Sequence, residues 1–243
     1  MMRHRILPHV FLLVALLATA CGPGAVRWEP DLHVVRQGET LYSIAWRYGL
    51  DYRALAEWND IGRDYRIYPG QKLVLVPPAV VPAPGGGRTA GSAASGAGQG
   101  GNASIPSAVP PREVTWDWPA NGPLLTDFNH ASATGKGIDI GGQVGAEVRA
   151  AASGKVVYSG SGLIGYGKLI IIDHDGRYLS AYAHNSELYV SEGTQVQRGD
   201  RIATMGIGPG NRPMLHFEIR LDGKPVDPLK HLPRRHGADL EQR

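Results

Sequence analysis

Two short stretches of this chain carry residue types that bind metals and move protons, and each also carries one that can do neither. The first, Gly135-Lys-Gly-Ile-Asp139, ends in a carboxylate, and the second, Met214-Leu-His216, ends in an imidazole. A catalytic zinc takes three protein ligands and keeps a fourth position for water. One carboxylate and one imidazole are too few to hold that ion firmly or to bring the pKa of its water toward neutrality. Gly135 has no side chain to contribute. Met214 offers a thioether, a weak acceptor with no proton to shuttle and a soft donor poorly suited to zinc-hydroxide chemistry. His130 precedes Asp139 by nine residues and is a conceivable substitute ligand, although a solvated loop histidine is the simpler reading.

The elements that must position Asp139 and His216 are strands. From residue 114 to 234 short apolar runs alternate with glycine-rich turns, the pattern of an all-β domain. Candidate strands are 148–152, 154–159, 168–173, 178–184, 201–205 and 215–221. Leu169 to Ile172 is apolar throughout and reads as a central strand buried on both faces. In the last strand Leu215, Phe217, Ile219 and Leu221 point one way while His216, Glu218 and Arg220 point the other. The same period places Tyr182 and His184 together. Trp116 and Trp118 read as packing at the entry to the domain, and His174 and His231 as surface histidines.

Ahead of this lies a smaller α+β unit, residues 33–77. Val34 and Val35 begin a strand, Thr40 stands where a helix N-cap belongs, and Leu41, Ile44, Ala45 and Tyr48 recur at helical spacing. Gly49 closes that helix, a second helix covers about 51–58, and Pro69-Gly70 turns the chain into a final strand. The order is βααβ. Between the units, residues 78–113 are rich in Pro, Gly, Ser and Ala and lack the apolar surface to order themselves. As a disordered linker this segment spans on the order of 30 Å and lets the two domains work independently.

The first twenty residues read as a targeting leader: Arg3, His4 and Arg5 precede an apolar stretch too short to cross a membrane. It ends in Leu17-Ala-Thr-Ala-Cys21, which resembles a bacterial lipoprotein cleavage box. Cys21 is the sole cysteine, so it has no intramolecular disulfide partner; acylation accounts for its position, with residues 21–32 as the tether. Several acyl chains on one cysteine give stable anchoring. Residues 235–243 form a polar tail. The formal charge of +3 falls to +1 once Arg3 and Arg5 leave with the leader, and no basic patch with interleaved aromatics marks a nucleic-acid binder.

Residues 114–234 resemble the lysostaphin/LytM-type endopeptidases through Gly165-Tyr-Gly167, Tyr182-Ala-His184, Gly193, Val196, Gly199 and His216-Phe-Glu-Ile-Arg220. In that family the first site half reads His-x-Gly-x-Asp and the second His-x-His. The resemblance implies that Asp139 and His216 are remnants of a metal site. It also implies that Gly135 replaces a ligand histidine and Met214 a proton-handling one, so that the fold persists without hydrolysis, catalytic residues or cofactor. Residues 33–77 resemble a LysM module, and that resemblance implies a shallow site for N-acetylglucosamine-containing glycan. Its contact residues would be Gly38, Glu39, Thr40 and Leu41 on one side with Ile67, Tyr68 and Pro69 on the other, Leu41 and Ile67 reading equally well as core.

Lipobox, LysM module, linker and degenerate peptidase domain together resemble the NlpD-type murein hydrolase activator lipoproteins. That resemblance implies a lipoprotein on the periplasmic face of the outer membrane, concentrated at the division site. By the same resemblance it would bind peptidoglycan and dock a periplasmic N-acetylmuramoyl-L-alanine amidase in its inactive groove, relieving the autoinhibition of that enzyme. Groove residues expected to meet the partner are Lys136, Tyr166, Leu169, Tyr182, His184, His216 and Arg220. A weak zinc endopeptidase and a passive peptidoglycan anchor are the competing readings.

Overall fold

The computed structural model describes residues 32–78, 114–129 and 136–235. The leader, Cys21 and its tether up to residue 31, residues 79–113, His130, Gly135 and residues 236–243 lie outside them.

The first module is built as β1 (Leu32–Val34), α1 (Leu41–Tyr48), α2 (Tyr52–Trp58) and β2 (Lys72–Val74), with β1 and β2 antiparallel. Thr40 starts α1 with a reciprocal capping box: its hydroxyl accepts from the Ser43 amide at 3.1 Å, and its own amide donates to the Ser43 hydroxyl at 3.0 Å. Two otherwise orphaned donors are thereby satisfied. Gly49 ends the helix at φ 67°, the left-handed conformation that glycine adopts without a Cβ penalty. Asp51 caps α2 by accepting from the amides of Arg53 and Ala54. Leu41, Ile44, Leu55 and Leu73 are wholly buried between the helices and the strand pair.

The second domain contributes β3 (Leu124–Thr126), β4 (Ile138–Gly141), β5 (Glu147–Arg149), β6 (Gly154–Gly160), β7 (Lys168–Asp173), β8 (Tyr178–Leu188), β9 (Gln195–Val196), β10 (Arg201–Gly208), β11 (Arg212–Leu221) and β12 (Lys224–Val226). They form one antiparallel sheet in the order β3-β4-β11-β10-β8-β7-β6-β9, with β12 beside β11 and β5 beside β10. The all-β expectation holds. Leu169 to Ile172 on β7 are fully buried because the sheet is covered on both faces. Ile170, Ile172, Tyr182, Leu215, Phe217 and Ile219 join one apolar cluster on one side. Leu169, Ile171, Leu179, Ala181 and Ala183 join another on the opposite side.

That second cluster also contains Leu41, Ile44, Trp46 and Leu55. The LysM-like module therefore sits on the sheet and shares its core, which corrects the expectation of two independently working domains. Polar contacts fix the docking. The Tyr52 hydroxyl donates to Asp173 at 3.0 Å, and Arg53 pairs with Asp222 at 2.7 Å. Arg220 donates to the Trp46 carbonyl at 2.8 Å. Asp222 and Gly223, both at positive φ, form the tight hairpin joining β11 to β12, the turn that Asp-Gly favours. A Cβ on Gly223 would stand 2.4 Å from the Leu50 carbonyl oxygen, so only glycine permits this approach of the two modules.

Candidate functional site

A groove of about 680 Å³ opens over β4, β8 and β11, lined in part by Lys136, Asp139, Tyr166, His184, Met214, His216 and Glu218. Strand register assembles it. His216 on β11 stands opposite Asp139 on β4 and Ala183 on β8. A Cβ on Gly137 would meet the Phe217 carbonyl oxygen at 2.2 Å, so the glycine beside Lys136 allows β4 to lie close against β11.

His216 is held from both ends. Its Nδ1 donates to Asp139 Oδ1 at 2.7 Å and its Nε2 to Glu218 Oε1 at 3.2 Å. Burial opposes the charge, but the two carboxylates outweigh it and push the His216 pKa up to about 9. Burial likewise opposes ionisation of Asp139 and Glu218, and contact with His216 overrides it, so both titrate below the usual carboxylate range. In this geometry both ring nitrogens of His216 are engaged by carboxylates. Among the described residues no three His, Cys, Asp or Glu side chains converge as a metal would require. This donor set does not fit the three-ligand zinc of a hydrolase.

Glu218 is the residue that sequence reasoning missed. It is 1% exposed and joins three partners: His216, the Tyr166 hydroxyl at 2.8 Å, and Arg220 at 2.9 Å. Its neighbourhood to His216 and Arg220 on one strand face was legible. Its burial was not, because the partners that enclose it include Tyr166, which comes from a different part of the chain. Tyr166, between this carboxylate and apolar surroundings, has its phenol pushed up to about 12, burial first and the Glu218 charge second.

His184 reaches the groove through an irregularity. On β8 it adopts φ 62°, uncommon for a residue with a side chain. There the pairing with β7 slips: Ile170 faces Tyr182 but Lys168 faces Asn185. Two residues oppose one, a β-bulge that re-aims the following side chain. Tyr182 and His184 consequently part company, contrary to the period-two reading. Tyr182 turns into the core, fully buried, its hydroxyl accepting from the Ala151 amide at 2.8 Å. His184 turns into the groove, its ring centroid 6.2 Å from that of His216. Burial and repulsion from His216 lower its pKa.

Of the seven expected partner contacts, Lys136, Tyr166, His184 and His216 line the groove. Tyr182, Leu169 and Arg220 do not. Leu169 is fully buried beneath the LysM-like module, and Arg220 is 1% exposed, sealed under Trp46. His174 is half-buried rather than free at the surface: its Nδ1 meets the Ser153 carbonyl and its Nε2 the Ser180 hydroxyl, with Trp116 packed against its edge. Trp116 is core, and the Trp118 indole donates to the Pro233 carbonyl at 2.8 Å, as expected of packing residues.

In the LysM-like module Leu41 is core rather than contact. Thr40 spends its hydroxyl on the helix cap. The Glu39 carboxylate is occupied by His33, the Arg36 amide and Arg47, so it shapes the loop. Gly38, Tyr68 and Pro69 are exposed and Ile67 half-buried.

The LysM domain family matches residues 33–76, and peptidase family M23 matches residues 133–228, the span that holds the groove. A lipoprotein NlpD/LppB homolog of Pseudomonas aeruginosa is 43% identical over 249 residues, covering 88% of this chain and 82% of its own length. The chain belongs to the NlpD/LppB lipoprotein family. The murein hydrolase activator NlpD of Escherichia coli is 34% identical over 262 residues, covering 86% of this chain and 69% of that protein. The uncharacterized lipoprotein YgeR of the same species is 36% identical and covers 92% and 91%. This NlpD/LppB chain thus pairs a LysM module with an M23 fold, and among its described residues no helix is long and apolar enough to cross a membrane.

Proposed function

We propose that this chain is an outer-membrane lipoprotein, anchored through acylated Cys21, that binds peptidoglycan with its LysM module. In this reading its M23-fold groove does not hydrolyse. It docks a periplasmic N-acetylmuramoyl-L-alanine amidase and activates it, promoting septal wall cleavage and daughter-cell separation. The observation that carries the reading is His216, both of whose ring nitrogens are spent on Asp139 and Glu218 while Met214 stands beside it. A site locked in this way spends the His216 imidazole on internal contacts, yet it keeps a concave, partly apolar surface. The relatives named murein hydrolase activators agree with it.

Such a groove activates an enzyme by binding its open state better than its closed one, since only differential affinity shifts a population. Aromatic and cationic anchors in a recess supply that affinity. Here they are Tyr166, Lys136, His184 and the His216 imidazolium, with Ile164, 97% exposed, as the apolar lip.

The experiment is release of dye from labelled peptidoglycan by the processed chain alone, by the cognate amidase alone, and by the two mixed. Release above the amidase baseline only in the mixture is the expected result. Chelator-sensitive release by the chain alone would replace this reading with a zinc endopeptidase. No change in the mixture would leave a passive peptidoglycan anchor.

A further inference from the structure

Docking of the LysM module creates a second, smaller hollow on the seam between the modules. It measures about 90 Å³, is walled by Arg36, Gln37, Glu39 and Arg47, and closes against Tyr158 and Leu163 of the second domain. Glu39 is saturated by three internal hydrogen bonds and fixes the shape of the wall. Arg36 and Gln37 are exposed, and nothing lies within 4 Å of where a Cβ on Gly38 would stand, so the rim is open. The far side is rigid. Tyr158 and Leu163 are 2% and 3% exposed, and the Gly162 amide donates to the Tyr158 hydroxyl at 2.8 Å, holding the loop onto β6. The docking contacts of Arg220, Tyr52 and Gly223 hold the two sides together.

We propose that the saccharide site of the LysM module is composite, with Tyr158, Gly162 and Leu163 of the second domain completing a subsite for the acetamido arm of an N-acetylated sugar beside Gly38. This inference rests on the glycan-binding reading of the LysM module and adds the second domain to it. An acetamido group brings one carbonyl acceptor, one N–H donor and a methyl. The Arg36 and Arg47 guanidinium groups supply donors, the Gln37 amide oxygen supplies an acceptor, and Leu163 with the Tyr158 ring supplies the apolar contact. The hollow has roughly the volume share of three waters, which suits a substituent and leaves the sugar ring on the outer edge. The same loop continues at once into the partner groove: the Tyr166 amide donates to the Leu163 carbonyl, and Ile164, Gly165 and Tyr166 line that groove. Glycan and partner are therefore met by neighbouring residues of one loop.

The test is calorimetric titration of the processed chain with N-acetylglucosamine tetramer. Gly162→Gln adds a side chain at the wall of the hollow: Gly162 is not among the positive-φ glycines, and the new Cβ would stand 3.2 Å from the Tyr158 hydroxyl, a contact that a shift of a few tenths of an ångström relieves. It should weaken binding about fivefold or more, the worth of one lost hydrogen-bonded contact, while the chain still melts cooperatively. Leu163→Ser should weaken it as well, and Tyr68→Ala, on the LysM edge alone, serves as the comparison. Wild-type binding that Tyr68→Ala reduces but Gly162→Gln and Leu163→Ser leave within about twofold would overturn the composite site and spare the LysM reading. No wild-type binding at all would overturn both.

Discussion

The guanidinium of Arg220 lies 3.5 Å from the centre of the Trp46 ring and donates to the Trp46 carbonyl, so a strand of the M23 fold and a helix of the LysM module are clasped through one side chain. The other end of that guanidinium pairs with Glu218, which holds His216, which holds Asp139. A continuous polar chain thus runs from the LysM helix to the floor of the groove.

Removing one member of a buried pair strands the other charge, a loss of roughly 3–5 kcal/mol. Arg220→Ala should approach that loss in urea unfolding. Arg220→Met, which keeps the volume, should lose less packing while still removing the guanidinium from Glu218, which retains His216 and Tyr166. A double-mutant cycle with Trp46→Leu should return a coupling of about 1–2 kcal/mol. Additivity within about 0.3 kcal/mol would mean that the stacking contributes nothing.

Gly223→Val should undock the modules while leaving the groove side chains in place. The new side chain meets the Leu50 and Asp51 backbone and is strained at φ 78°. The wild-type chain should melt in one calorimetric transition and the variant in two, since cooperativity across the shared core is lost. A single transition in both would mean that the interface tolerates the side chain.

His184→Gly should raise stability by about 1 kcal/mol, because glycine adopts the left-handed conformation that histidine occupies under strain. The same change removes an imidazole from the groove. Amidase stimulation should therefore fall although the protein melts higher, a split that a merely structural role would not produce.

The raised pKa of His216 sets a pH window. A group near 6.5 when unfolded and about 9 when folded contributes fully below pH 6.5, and that contribution disappears as pH rises through 9. The span corresponds to roughly 3–3.5 kcal/mol, and His216→Gln should flatten the alkaline fall in denaturation midpoints. His174 acts in the opposite sense. Burial lowers its pKa to about 4, so its contribution is present above pH 6.5 and is lost as pH falls toward 4. His174→Gln should flatten the acid limb only.

Much of the fold was legible because local chemistry and periodicity agree. Thr40 and Gly49 mark helix ends in the sequence and in the structure alike. Leu215, Phe217 and Ile219 alternate with His216, Glu218 and Arg220 at the period of a strand. That Gly135 offers no ligand and Met214 no proton is readable from residue type alone, because a missing side chain coordinates nothing in any fold.

Three features were settled only by tertiary structure. The bulge at His184 breaks the period of two, and a bulge depends on how the partner strand pairs, which the strand's own residues do not encode. The burial of Arg220 and Leu169 depends on a module more than a hundred residues away settling onto their face. The charged state of His216 depends on two carboxylates closing on it from different directions, one across the sheet and one along its own strand. Sequence alone determined which side chains were available for chemistry and which were gone. Tertiary packing decided which of the remaining ones meet solvent, because exposure belongs to the assembled surfaces and not to any single segment.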